Sequence, residues 1–202
     1  MPTQSTVVIC LYDRLRETGE KIVWLPCCQE ISRNPDTLCI TPANGHGECK
    51  ASLFDLPALP KHGVDLRRAY KTMMDLSNHT GNKPLSSNGG ERLHSFCHWA
   101  FKESGPAFDA ARSARSIVRS QKAGGGGDPC IIVGGHSLWF RSFFREFLPA
   151  TTDNPYCEKA KTRKLHNGGA VAFTLRSIID ASGNRKYKIV PSTVRPIFMG
   201  WS

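Results

Sequence analysis

Residues 129–150, PCIIVGGHSLWFRSFFREFLPA, constrain this chain more than any other stretch. A short apolar run at residues 130–133 is followed by two glycines, a histidine, and then apolar residues at helical spacing from Ser137 to Phe147. The pattern predicts a buried strand that hands over to an amphipathic helix at His136. A histidine at such a junction stands beside the free amides and the positive end of a helix dipole, an arrangement that suits a phosphate group. Gly134 and Gly135 let the backbone approach a ligand closely, and Ser137 can cap the helix or donate to a phosphate oxygen. The competing reading is a structural histidine held in a turn.

The other early strand candidate is residues 21–25 (KIVWL), ended by Pro26. Glu30 follows it in CCQEIS, and a carboxyl there serves as a general acid if burial raises its pKa. Taken alone it reads as an ordinary surface carboxylate. Ligands in α/β sheets bind outside the carboxyl ends of strands. Glu30 and His136 therefore form a candidate acid and phosphate-binding pair at one sheet edge.

Periodicity places a helix at residues 3–18, with Val7, Val8, Leu11 and Leu15 on one stripe and Gly19 as its stop. Residues 34–60 read as a long irregular excursion rich in Pro, Gly, Asn and Cys. Residues 66–77 read as a helix, 79–90 as turns, and 92–102 as a second amphipathic helix. The tract at 124–127 lacks the Lys-Ser/Thr of a nucleotide P-loop and reads as a flexible linker. After the helix beginning at Ser137 come a basic loop and strands at 170–175, 187–190 and 194–198. This order predicts an α/β protein with a largely parallel sheet finished by an antiparallel pair. Residues 1–202 form one domain, with 34–88 as an irregular and helical insertion.

The formal charge is +10, from 27 Lys and Arg against 17 Asp and Glu. Basic residues concentrate at 112–122 and 159–164, but neither segment alternates with aromatic residues that could stack on bases. Nucleic-acid binding is thus the weaker reading, and a basic face that draws in phosphorylated ligands the stronger. No apolar run reaches membrane-spanning length, so no membrane partner is expected. Eight scattered cysteines read as reduced, mostly buried thiols, which points to the cytoplasm. Cys27, Cys28, Cys39, His46 and Cys49 lack a paired C-x-x-C knuckle and read as core or loop residues, not a zinc site. His94 and His98 share a helix face, but the sequence shows no acidic third ligand nearby. Arg141 and Arg145 either face the phosphate side of their helix or solvate it.

The Gly-His-Ser-Leu-Trp-Phe-Arg run at 135–141 resembles the second-histidine motif of the histidine phosphatase superfamily, the phosphoglycerate mutase-like group. His136 takes the place of that motif's histidine, and Arg141 follows it five positions on. The family's glycine after this histidine is Ser137 here. The strand leading to Glu30 is similar to the family's strand before its proton donor, with Cys28 in place of the usual leucine. Asn167-Gly168-Gly169 before a strand fits the family's C-terminal part.

The resemblance implies a three-layer α-β-α sandwich with a mostly parallel sheet. It further implies phosphoric monoester hydrolysis through a phosphohistidine, with Glu30 as general acid and His136 and Ser137 as phosphate ligands, and with no metal or cofactor. The substrate class would be a phosphorylated small molecule or a phosphoprotein. The family's nucleophile lies in an Arg-His-Gly motif, which occurs nowhere in these 202 residues. His46 and His94 lie in other contexts. Arg14 with Thr18 satisfies the family's Arg-x-x-x-Thr pattern, but at the end of a helix and too close to Glu30. If Thr6 is that threonine, the arginine position is Pro2. The expectation is a domain missing its first, central strand and its nucleophile, and inactive as this chain. The alternative is a pseudophosphatase that binds phosphorylated ligands or partners.

Overall fold

A computed structural model describes residues 3–29, 72–78, 89–103 and 130–201. Its elements are helix α1 (Thr3–Thr18), strand β1 (Ile22–Val23), a single 3-10 turn (Pro26–Cys28), strand β2 (Met74–Asp75), helix α2 (Gly89–Glu103), helix α3 (Ser137–Phe147), helix α4 (Pro155–Thr162) and strands β3 (Ala170–Ile179) and β4 (Arg185–Phe198). The fold is mixed α/β. Among the described residues no helix is long and apolar enough to cross a membrane.

The helix α1 has the bounds that its periodicity predicts, and it buries Leu15 while Asp13, Arg14, Arg16 and Glu17 stay exposed. Gly19 ends it with φ +68°, a left-handed conformation that favours glycine, and its amide donates to the Leu15 carbonyl at 3.0 Å. Arg14 closes this end with both branches of its fork on Glu20, at 2.8 and 3.1 Å.

The strand β1 pairs in parallel with β2, in the register Ile22↔Met74 and Val23↔Asp75. Residues 66–77 were expected to be helical, yet Met74 and Asp75 are a strand. A run as short as Met73-Met74-Asp75-Leu76, apolar apart from Asp75, fits either period, and the remote partner Ile22 decides it. Residues 66–71 of that expected helix lie outside the described residues, as do the excursion at 34–60 and the tract at 124–127.

The helices α3 and α2 supply much of the core. Trp139, Phe143, Phe144 and Phe147 fall on one helical stripe and are buried. From α2 come Leu93, Phe96, Cys97 and Ala100, while β3 contributes Phe173 and β4 contributes Tyr187, Ile189 and Val194. The rings pack edge to face and stacked: Phe96 meets Trp139 at 5.4 Å and 90°, and Trp139 stacks on Phe143 at 5.2 Å and 18°.

The strands β3 and β4 form the expected antiparallel pair, with a register break between Ala172 and Thr174. The helix α4 replaces the expected basic loop. Asn154 caps it by accepting from the Tyr156 amide at 3.0 Å, and Pro155 opens its first turn. The Asn154 amide also donates to the carbonyls of Pro191 at 2.7 Å and Val194 at 3.0 Å, which clamps α4 onto the bulged part of β4.

Residues 130–133 were expected to be a buried strand, and here the structure differs. Residues 130–136 join no ladder among the described residues, and Ile131 and Ile132 are 41% and 58% exposed. A strand is fixed by its partner, and without one only Val133 of this run packs on the core. The segment lies instead beside α1, where Val7 sits over Gly134.

Candidate functional site

The helix α3 begins as the sequence predicts. His136 occupies the N-cap position with extended backbone (φ −90°, ψ 153°), and the first intrahelical bond runs from the Phe140 amide to the His136 carbonyl at 3.2 Å. The amides of Ser137 and Leu138 stand ahead of that bond, where helix geometry supplies no acceptor. His136 and Ser137 are both half-buried.

The two glycines before His136 have separate reasons. A Cβ on Gly134 would overlap Val7 Cγ2 of α1, and one on Gly135 would press Phe140 Cε2 at 3.3 Å. The first glycine admits the close approach of α1, and the second admits the first turn of α3 folding back on its own lead-in.

Glu30 lies outside the described residues, which reach Gln29 on that side. The segment before it is well tied. The Trp139 indole donates to the Cys27 carbonyl at 2.8 Å, and both residues are buried. This bond joins a position three residues before Glu30 to one three residues after His136. Cys28 stands beside Cys27, and its thiol is pushed well up by the hydrogen bond from Cys27 and by burial. The Arg92 guanidinium on α2, itself buried, acts in the opposite direction on that thiol. This buried cation, one helix away from the Pro26–Cys28 turn, was not singled out from the sequence. The only signal was a charged residue on an otherwise apolar stripe with Leu93, Phe96 and Cys97.

Because β1 and β2 are parallel, their carboxyl ends share an edge, and the Pro26–Cys28 turn and Asp75 both leave from it. Asp75 accepts from the Ser77 amide at 2.9 Å, and that hydroxyl and amide hold its carboxyl below the usual range. The start of α3 reaches this edge through Trp139.

Several other candidates find structural partners. Arg145 donates to the Lys161 carbonyl at 2.7 Å and so ties α3 to α4 rather than facing a phosphate. His94 Nε2 meets Glu146 Oε1 at 3.0 Å, an acidic partner from α3 that the sequence did not reveal. Among the described residues, no three metal-ligating side chains converge. Cys39, His46 and Cys49 lie outside them. Cys27, Cys97 and Cys157 are buried, whereas Cys10 and Cys130 are exposed. Asn167-Gly168-Gly169 makes the turn into β3, with Gly168 at φ +76°.

Fold and site thus comprise a mixed α/β structure in which the first turn of α3 is bonded through Trp139 to the turn that follows the parallel β1–β2 pair. No family model, curated protein or solved structure matches the chain.

Proposed function

We propose that this chain is a histidine phosphatase-like domain that binds phosphorylated ligands at His136 without turning them over. His136 is the phosphate-binding histidine, Ser137 donates to a second oxygen through its amide or hydroxyl, and Glu30 is the residue in the general-acid position. The three-layer sandwich with a mostly parallel sheet is the architecture that accompanies this reading. The parallel register of β1 and β2 supports it.

The observation that carries the reading is the bond from Trp139 to Cys27. It holds the lead-in to Glu30 against the first turn of the helix that His136 begins, as an acid and a phosphate ligand serving one phosphate require. The chemistry available is one-sided. A phosphoryl transfer through histidine needs a nucleophilic imidazole placed in line with the leaving oxygen. The Arg-His-Gly segment that would bring it is not among these residues. Binding by helix amides, Ser137 and the His136 ring needs no such group. Losing a nucleophile costs several orders of magnitude in rate, so binding without turnover is the function assigned.

The reading is tested with the purified chain and p-nitrophenyl phosphate. No hydrolysis above the solvent rate is expected, while the compound should compete with inorganic phosphate for one site that His136→Ala abolishes. Turnover lost in His136→Ala would overturn the assignment to binding alone. Phosphate affinity untouched by His136→Ala would overturn the site itself.

A further inference from the structure

The hairpin of β3 and β4 has two unlike faces. One packs on the core through Val171, Phe173 and Leu175 from β3 and Tyr187, Ile189 and Val194 from β4. The register puts on the other face the pairs Ala170↔Phe198, Ala172↔Arg195, Thr174↔Val190, Arg176↔Lys188 and Ile178↔Lys186. Four cations and one aromatic ring thus lie along one ribbon.

Lys186 is engaged by Asp180 at 3.1 Å. Arg176, Lys188 and Arg195 are exposed, and among the described residues none of them forms an ion pair. Arg176 and Lys188 stand directly opposite each other, a like-charge pairing that costs stability in a two-stranded ribbon. The phosphates of an external polyanion beside them would turn that cost into attraction. Phe198, at the far end, is 60% exposed. Between the ring and the cations the β3 residues are Ala170, Ala172 and Thr174, so nothing bulky from that strand separates them. At about 3.3 Å per residue, the face runs roughly 20 Å from the Phe198 pair to the Arg176 pair.

We propose that this face binds single-stranded nucleic acid. Arg195, Lys188 and Arg176 take successive phosphates, and Phe198 stacks on an unpaired base. A line of cations ending in an exposed ring fits a linear polyanion with accessible base faces. A duplex keeps its bases stacked on each other and offers the ring nothing. The inference stands apart from the proposed phosphate site, since it uses no residue of α1, α3 or the Pro26–Cys28 turn.

The test is fluorescence anisotropy of labelled oligothymidylate with the full chain across a salt series. Three phosphate contacts predict a slope of about −2 in log affinity against log salt. Replacing Arg176, Lys188 and Arg195 together with Gln should flatten that slope and weaken binding at least tenfold at low salt. Phe198→Ala should weaken binding about fivefold or more and leave the slope unchanged. Lys159→Gln with Arg163→Gln, on and after α4, should change little. Circular dichroism checks that each variant is folded, and Lys188→Thr, a strand-favouring change, serves if the triple variant is not.

The proposal falls if the wild-type chain does not bind at low salt, or if the triple variant binds as tightly. It also falls if Phe198→Ala is neutral while heparin or duplex competes equally, which would mark a general polyanion surface. Preferential binding to phosphatidylserine vesicles would assign the face to a membrane surface and overturn it too.

Discussion

Replacing Trp139 with Phe tests the contact on which the proposed site depends. The indole is 1% exposed and donates its only N–H to the Cys27 carbonyl at 2.8 Å. Phe keeps an aromatic ring against Phe96 and Phe143 but takes the donor away from a buried carbonyl, which costs about 1–3 kcal/mol. The lost half of the indole leaves a small cavity, for a total near 2–4 kcal/mol. For a chain of this size that corresponds to a fall in Tm of roughly 5–15 °C. Urea and thermal melts followed by circular dichroism measure the stability, and a phosphate titration well below Tm measures the site. The control is Phe144→Leu, a buried change on the same helix whose ring neighbours are Phe143, Phe173 and Trp201, away from the Pro26–Cys28 turn. Trp139→Phe should weaken phosphate binding about tenfold relative to this control. Equal phosphate affinity in the two folded variants would refute the claim that Trp139 couples the turn to the helix start.

Four further outcomes follow from packing, capping and burial. Gly134→Ala should lose about 1–3 kcal/mol because its methyl meets Val7 Cγ2, and Val7→Ala in the same chain should recover most of that loss in a double-mutant cycle of urea melts. Asn154→Ala removes the cap of α4 and both bonds to β4, and hydrogen exchange should show α4 opening well before α3, with about 1–3 kcal/mol lost overall. Burial pushes the Cys97 thiol up to about 12 from its ordinary 9.0, so the unfolded chain ionises first. Stability from this group should therefore decline as pH rises from about 9 toward 12, and Cys97→Ala should blunt that decline in melts. In iodoacetamide mapping near neutral pH, Cys10 and Cys130 should react long before Cys97.

What could be read from the sequence was whatever rests on local pattern. The bounds of α1 and α3 follow from apolar spacing with a glycine stop or a glycine lead-in, and strands were expected at 170–175, 187–190 and 194–198, the last two of which run on as the single strand β4. The helix α4 was missed because its buried face is only Cys157 and Ala160, too small to show as a stripe in PYCEKAKT. Non-local pairing was illegible. Ile22 makes Met74 a strand across 52 residues of chain, and Trp139 finds Cys27 across 112. The run at 130–133 misled in the opposite sense, since β-branched residues signal a strand whether or not a partner is there to bury it. His136 was legible because its junction is local, whereas the cations of Arg176, Lys188 and Arg195 meet Phe198 only once register is known. Sequence spacing gave no reason to group them.

Phosphate binding at His136 is tested most directly by titrating inorganic phosphate into the isotope-labelled chain and following amide and imidazole NMR shifts. Saturable shifts are expected at the Ser137 and Leu138 amides and the His136 ring, with the rest of α3 little changed, and they should be lost in His136→Ala. Shifts confined to the outer face of the β3–β4 hairpin, or none at all around His136 at saturating phosphate, would contradict it.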